Sequence, residues 1–160
     1  AKSAIGQDSH RFEPDGSGKP LMLGGVQIPG CPGLSGNSDA DVVLHALTNA
    51  VSGITGVNVL GARSDELCNE QGITDSAAYL AEALQHLGEL RLTHVSVSIE
   101  CSRPKLAEHI RAMRESVAKV CGVGVDGVGI TATSGEGLTA FGRGEGIQAI
   151  VIVTADARGA

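Results

Sequence analysis

At 160 residues the chain has the length of one ordinary domain, long enough to bury an apolar core without staples. Twelve Lys and Arg against eighteen Asp and Glu leave a formal net charge of -6, which argues against a nucleic-acid face, because neutralising phosphates takes a concentrated basic surface. Hydrophobic residues make up 42% without an unbroken run of the ~18 a membrane span requires, and aromatics only 2%, so neither a membrane partner nor a base-stacking platform is expected.

In chain order, residues 5–10 and 21–28 read as two short strands joined through Pro14, Gly16 and Gly18, the pattern of a hairpin. Residues 29–36 carry two Pro and three Gly and predict a loop. Ser38-Asp39-Ala40-Asp41 then has the spacing of a capping box, so a helix is expected from there through about residue 51, with Gly53 and Gly56 as its stop. A second helix is predicted over residues 76 to about 87, where Leu80, Ala83, Leu84 and Leu87 form one apolar stripe. Val95, Val97 and Ile99 alternate with Ser96, Ser98 and Glu100, the period of a strand with one buried face. Pro104 suits a helix start, and Leu106, Ile110, Met113, Val117 and Val120 recur at helical steps. Two more strands, 128–133 and 147–154, flank a glycine-rich connection over 135–146.

This order of elements predicts a single α+β domain over residues 1–160, with a mixed sheet covered by helices on one face. Val151, Ile152 and Val153 read as apolar on both sides of the last strand, so the second face is expected against another subunit. Cys31, Cys68, Cys101 and Cys121 form no C-x-x-C pair and are expected to be reduced thiols. No secretory signal is visible.

Asp8 and His10 lie two apart on a predicted strand, so both project to one side and can converge on one ion. An isolated D-x-H is more often a surface contact. His45, however, interrupts the apolar stretch Val42-Val43-Leu44-His45-Ala46-Leu47, where a buried imidazole needs a partner. A helix packed on the first strand would aim it at Asp8 and His10. One carboxylate and two imidazoles suit zinc or a similar divalent ion and leave a coordination position free. His86, His94 and His109 are assigned to surface or capping roles. The Gly36-Asn37-Ser38-Asp39 stretch offers backbone amides at a helix start, either as a simple cap or to meet an anion. Thr131 to Glu136 places hydroxyls and a carboxylate just after a strand, a fit for a phosphate and a hard cation such as magnesium. Neither a Walker loop nor a G-x-S-x-G elbow is present.

The ordered set Asp8-x-His10, Leu23-Gly24-Gly25-Val26 with Ile28-Pro29, Ser38-Asp39-Ala40-Asp41 followed by His45, Pro104-Lys105, Ala132-Thr133 with Glu136, and Gly142-Arg143-Gly144-Glu145-Gly146 resembles the 2-C-methyl-D-erythritol 2,4-cyclodiphosphate synthase family of the non-mevalonate isoprenoid pathway. The resemblance spans nearly the whole chain. It implies a homotrimer with active sites at subunit interfaces. It also implies a lyase reaction, in which the 2-phosphate of 4-diphosphocytidyl-2-C-methyl-D-erythritol 2-phosphate attacks the β-phosphorus of its own diphosphate, closes the cyclic diphosphate and releases CMP.

By the same resemblance, Asp8, His10 and His45 match zinc ligands, and Glu136 matches a ligand of a second cation, usually Mg2+. Substrate contacts are implied for Asp8, Ser9, His10, Asn37, Ser38, Thr133, Ser134, Glu136 and Arg143, with Pro104, Lys105 and Leu106 at the cytosine pocket. Asn37 and Ser134 are the implied catalytic positions. Arg143 and Glu145 match residues near the trimer axis. The chain departs from the family at Asn37, where a histidine is usual, and at Asn49, where aspartate is common. It departs again at Asn58-Val59-Leu60-Gly61, where Gly-Asp-Ile-Gly is usual, and at Ala62-Arg63-Ser64-Asp65, which replaces the Phe-Pro-Asp stretch. These changes leave open a divergent phosphotransfer enzyme with another nucleotide-linked substrate, or a non-catalytic trimer that binds an isoprenoid diphosphate. The family occurs in bacterial cytoplasm, the expected location here, and in plastids after removal of a transit peptide.

Overall fold

A computed structural model of the protein describes residues 1–61 and 75–159. Cys68 and the Ala62-Arg63-Ser64-Asp65 stretch lie outside the described residues. The elements, in order, are β1 Lys2–Arg11, β2 Leu21–Leu23, β3 Val26–Ile28, α1 Val42–Thr55, α2 Ser76–Gln85, β4 Leu90–Glu100, α3 Ile110–Cys121, β5 Val128–Thr133 and β6 Gly146–Ala157.

Four strands form one sheet in the order β1-β6-β4-β5, antiparallel except for the parallel β4–β5 pair. The mixed sheet and single α+β domain predicted from the sequence are therefore present. The predicted hairpin is not. The first strand pairs with β6 at the far end of the chain, Asp8 opposite Ala149 and His10 opposite Ile147, while residues 21–28 fold on themselves as β2 and β3, turning at Gly24 and Gly25. Both glycines have positive φ, 60° and 79°, a conformation that lets two short strands return without a Cβ clash.

Helix α1 begins three residues later than a capping box at Ser38 would place it. Ser38 Oγ accepts from the Ala40 N–H and Asp39 Oδ1 from the Asp41 N–H, and Ala40 sits at φ 56°, so these residues make tight turns instead of a first helical turn. The cap is Asp41, whose Oδ1 accepts from the Leu44 N–H. The same carboxylate accepts from the Gly24 and Gly25 N–H groups at 2.9 and 2.7 Å, tying the β2–β3 turn to the helix start. Burial raises the Asp41 pKa, and the hydrogen bonds from Leu44, Gly25 and Gly24 oppose it. At the other end Gly53 stays within the helix and Gly56, at φ 76°, is the left-handed cap.

The core lies between the helices and one sheet face. Ile147, Ala149, Val151, Val153 and Ala155 of β6 all point inward and are fully buried, as are Val95, Val97 and Ile99 of β4. Ile152 alternates outward with 48% exposure, and Ile5 of β1 with 64%. The run from Val151 to Val153 is thus ordinary strand alternation, and the apolar part of the outer face is centred on Ile5 and Ile152. Helix α1 crosses β1 at close range because residue 6 is glycine: a Cβ there would lie 2.1 Å from the Ala46 carbonyl oxygen and 2.4 Å from the Ala50 nitrogen. Asn49 Nδ2 adds a hydrogen bond to the Gln7 carbonyl on the same strand. This contact brings the middle of α1 over the end of β1.

Candidate metal centre and substrate clefts

Strand parity puts Asp8 and His10 on the helix-facing side of β1, and the close α1 crossing brings His45 down onto them. Asp8 Oδ2 lies 3.2 Å from His10 Nε2 and 3.2 Å from His45 Nδ1. Ligand atoms of all three residues lie within 4.8 Å of one another, and this is the group of its kind among the described residues. Two imidazoles and a carboxylate, half-buried and converging, fit a borderline divalent ion with an open position. The protein therefore carries a group that could hold a metal, as Asp8-x-His10 and the misfit His45 indicate in the sequence. For Asp8, burial pushes the pKa up, but hydrogen bonds from His10 and His45 and their charges outweigh it, and the net shift is downward. His10 shifts upward, chiefly through its hydrogen bond to Asp8, against the effect of burial.

These three residues floor a cleft of about 480 Å³ lined also by Asn37, Ser38, Asn49, Asn58, Leu60, Gly61 and Tyr79. Val59, by contrast, is 2% exposed and packs into the core, so the neighbours of that substitution, not Val59 itself, face the cleft. Ser9 falls on the opposite side of β1 from Asp8 and His10 and does not line the cleft.

A second cleft, about 520 Å³, collects Pro104, Lys105, Leu106, Thr133 and Ser134 with Cys101, Ile110, Ile130 and Ala132. It sits where the carboxyl ends of β4 and β5 meet the start of α3. Ser134 Oγ accepts from the Glu136 N–H, and Glu136 is exposed with φ 51°; it is not part of the Asp8, His10 and His45 group. Behind this loop Glu100 accepts from Thr139 Oγ1, and Thr139 Oγ1 in turn accepts from the Gly142 N–H. Arg143 pairs with Glu145 at 3.2 Å, and Glu145 also meets Arg11 at 3.5 Å.

The two clefts lie at the same end of the sheet but at opposite edges. Asp8 aligns with Ala149, Ala149 with Ile99, and Ile99 with Ala132, three strand spacings or roughly 14 Å apart. One chain therefore separates the metal group from the residues around Ser134.

Three residues neighbour His45, two of which, Ser76 and Tyr79, are not among the candidates expected from the sequence. Ser76 Oγ lies 2.8 Å and Ser38 Oγ 3.3 Å from His45 Nε2, and the Tyr79 ring stands edge-on to the imidazole at 6.5 Å. Ser38 is among the implied contacts, but as a substrate contact and not as a partner of His45. Ser76 and Tyr79 give no signal in the sequence beyond helix propensity. The assignments of His86 and His109 to helix ends agree with their positions at the C-terminus of α2 and immediately before α3, and His94 is exposed on β4.

The YgbB family profile matches residues 1–156. A 2-C-methyl-D-erythritol 2,4-cyclodiphosphate synthase of Chlamydia muridarum (strain MoPn / Nigg) is 49% identical over 151 residues, covering 94% of this chain and 85% of that protein. The protein of the same description from Chlamydia trachomatis serovar L2b (strain UCH-1/proctitis) is 48% identical with the same coverage. Among solved structures, a 2C-methyl-D-erythritol-2,4-cyclodiphosphate synthase in its CDP-bound form is 29% identical with a TM-score of 0.81, covering 97% of this chain and 100% of that one. The bifunctional IspDF from Campylobacter jejuni gives a TM-score of 0.86 at 28% identity; the match covers 97% of this chain but only 42% of that longer one.

Proposed function

From the premise that this chain belongs to the YgbB family, we propose that it is a metal-dependent phosphorus–oxygen lyase converting 4-diphosphocytidyl-2-C-methyl-D-erythritol 2-phosphate to 2-C-methyl-D-erythritol 2,4-cyclodiphosphate and CMP. The observation that carries this reading is the convergence of Asp8, His10 and His45 in one cleft of a chain 49% identical to a protein named for that activity. A 2-phosphate oxygen forms a bond to the β-phosphorus, the bond from that phosphorus to the CMP oxygen breaks, and CMP leaves with the electron pair. Such a transfer asks the protein chiefly for positioning and charge neutralisation.

A divalent ion, zinc by ligand type, held by Asp8, His10 and His45 would supply positive charge to a diphosphate oxygen. Glu136 would supply a carboxylate ligand for Mg2+, which would add positive charge for the phosphates. Asn37 and Ser38 donate to phosphate oxygens beside the metal group, and Thr133 and Ser134 donate from the second cleft. Asn37 hydrogen-bonds but brings no positive charge, so this position contributes less neutralisation than where histidine stands there. Pro104, Lys105 and Leu106 form the cytosine end. Arg143 with Glu145 lines the assembly axis.

The wide separation of the clefts within one chain supports a homotrimer in which the β1 edge of one subunit meets the β5 edge of the next. The exposed Ile5 and Ile152 support burial of the outer sheet face in that assembly. The bacterial source of the relatives supports a cytoplasmic location, and no helix among the described residues is long and apolar enough to cross a membrane.

The test is phosphorus NMR of the purified protein with the cytidine substrate, Mg2+ and Zn2+, beside a chelated control and His45→Ala. CMP and cyclic diphosphate in equal amounts, with both controls inactive, is the expected result. The altered cleft wall at Asn37, Asn58 and Leu60 is the observation favouring a different nucleotide headgroup. Faster turnover with a guanine, adenine or uracil analogue than with cytosine would establish that reading instead.

A further inference from the structure

We propose that Asp39 and Ser76 are positioning residues for the metal centre: together they commit His45 Nε2 to carrying a proton, so that Nδ1 is the nitrogen offered to the cation. The inference rests on the metal reading of Asp8, His10 and His45, but concerns two side chains outside that set.

Asp39 lies in the turn before α1 and Ser76 in the first turn of α2, 37 residues apart. The Ser76 N–H donates to Asp39 Oδ2 at 3.1 Å and the Asp41 N–H donates to Asp39 Oδ1 at 3.1 Å. Ser76 Oγ also bonds to Asp39 Oδ1. A carboxylate only accepts, so the single hydroxyl proton of Ser76 goes to Asp39. The Ser76 oxygen is then left only lone pairs for its other neighbour, His45 Nε2 at 2.8 Å. That nitrogen must therefore be the donor. Ser38 Oγ, 3.3 Å from the same nitrogen, already receives the Ala40 N–H and provides a second acceptor. Ser76 is fully buried, so water does not substitute for it. With Nε2 engaged, Nδ1 faces Asp8 Oδ2 at 3.2 Å, the side on which His10 also converges. Outer hydrogen bonds of this kind fix the tautomer and ring orientation of a ligating imidazole, and removing one weakens metal affinity about 10- to 100-fold.

The substitutions separate this role from packing. In Ser76→Ala the nearer acceptor is gone and only Ser38 Oγ at 3.3 Å remains, so zinc affinity should fall about tenfold, while Ser76→Thr keeps the hydroxyl and should restore it to within a few-fold. In Asp39→Asn an amide nitrogen in the place of Oδ1 donates to Ser76 Oγ and no longer accepts the Asp41 N–H, which turns the hydroxyl proton toward Nε2 and drives the imidazole proton to Nδ1.

The experiment is nitrogen-15 NMR of histidine-labelled full-length protein, zinc-free and zinc-loaded, at alkaline pH, with zinc affinity measured by chelator competition. The expected result is a slowly exchanging His45 Nε2–H in wild type in both states, lost in Ser76→Ala and in Asp39→Asn. A wild-type His45 protonated at Nδ1 alone overturns the proposal, as does an unchanged Nε2–H signal and zinc affinity in Ser76→Ala. If a variant fails to fold, the wild-type spectrum decides. If wild type binds no zinc at all, the proposed function fails, while the zinc-free spectrum still tests the Asp39 and Ser76 arrangement.

Discussion

Asp8 is the residue on which the centre turns, because one of its carboxylate oxygens faces both imidazoles at 3.2 Å. Its lowered pKa and the raised pKa of His10 have opposite consequences for stability. The contribution of Asp8 is present above its unfolded value near 3.8 and is lost as pH falls through the lowered folded value. That of His10 is full below its unfolded value near 6.5 and is lost as pH rises through the raised folded value. In the metal-free protein both contributions therefore coexist between about 3.8 and 6.5. A metal must displace the His10 proton, so zinc affinity should climb with pH until the raised His10 pKa is passed and then level off, with one proton released per zinc below that point. Chelator competition at several pH values, with proton release followed in weak buffer, checks this. An affinity that stays constant through the neutral range would show that His10 is not a ligand.

The geometry of that centre is set by two elements, β1 and α1, and by the absence of a side chain at Gly6. Adding a methyl group there would put a carbon 2.1 Å from the Ala46 oxygen, and backbone cannot rotate away as a side chain can. Gly6→Ala should cost about 1–3 kcal/mol of stability, read as a lower urea midpoint. It should weaken zinc binding as well, because the displaced helix carries His45 next to Ala46. Wild-type zinc affinity in a destabilised Gly6→Ala protein would mean that the ligands adjust independently of the helix–strand contact. At this scale the sequence was informative wherever a period is local. The steps from Ile110 to Val120 mark α3, although the helix starts at Ile110 and not at Pro104 as expected, leaving Leu106 before it, and the alternation from Val95 to Glu100 marks β4. It was uninformative about partners: nothing near residues 5–10 announces pairing with 147–154, and nearness in sequence favoured residues 21–28. The same limit divides the site. Parity made Asp8 and His10 legible, and an imidazole in an apolar stretch made His45 legible. Ser76 reads only as the start of a helix, since its meaning lies in Asp39 and His45, 37 and 31 residues away.

At the scale of the whole molecule, the distance between clefts is what supports the assembly proposed above. A cytidine diphosphate substrate bound to the metal group must find its second set of contacts within its own length, and in one chain Ser134 lies three strand spacings away across the same sheet. A head-to-tail ring brings the β5 edge of one copy to the β1 edge of the next and repeats the contact until it closes. The prediction is complementation. His45→Ala and Glu136→Ala should each be inactive as a homotrimer, since every composite site lacks one half. When the two are unfolded together and refolded as a 1:1 mixture, a site is intact wherever a Glu136→Ala chain supplies the metal group and a His45→Ala chain supplies the neighbouring loop, which random assembly produces in about a quarter of sites. Recovery of about a quarter of wild-type CMP release, with a sedimentation coefficient unchanged from the parent, is the expected outcome. If both halves belong to one chain, every site in the mixture still carries a lesion and no activity returns, however well the trimers assemble.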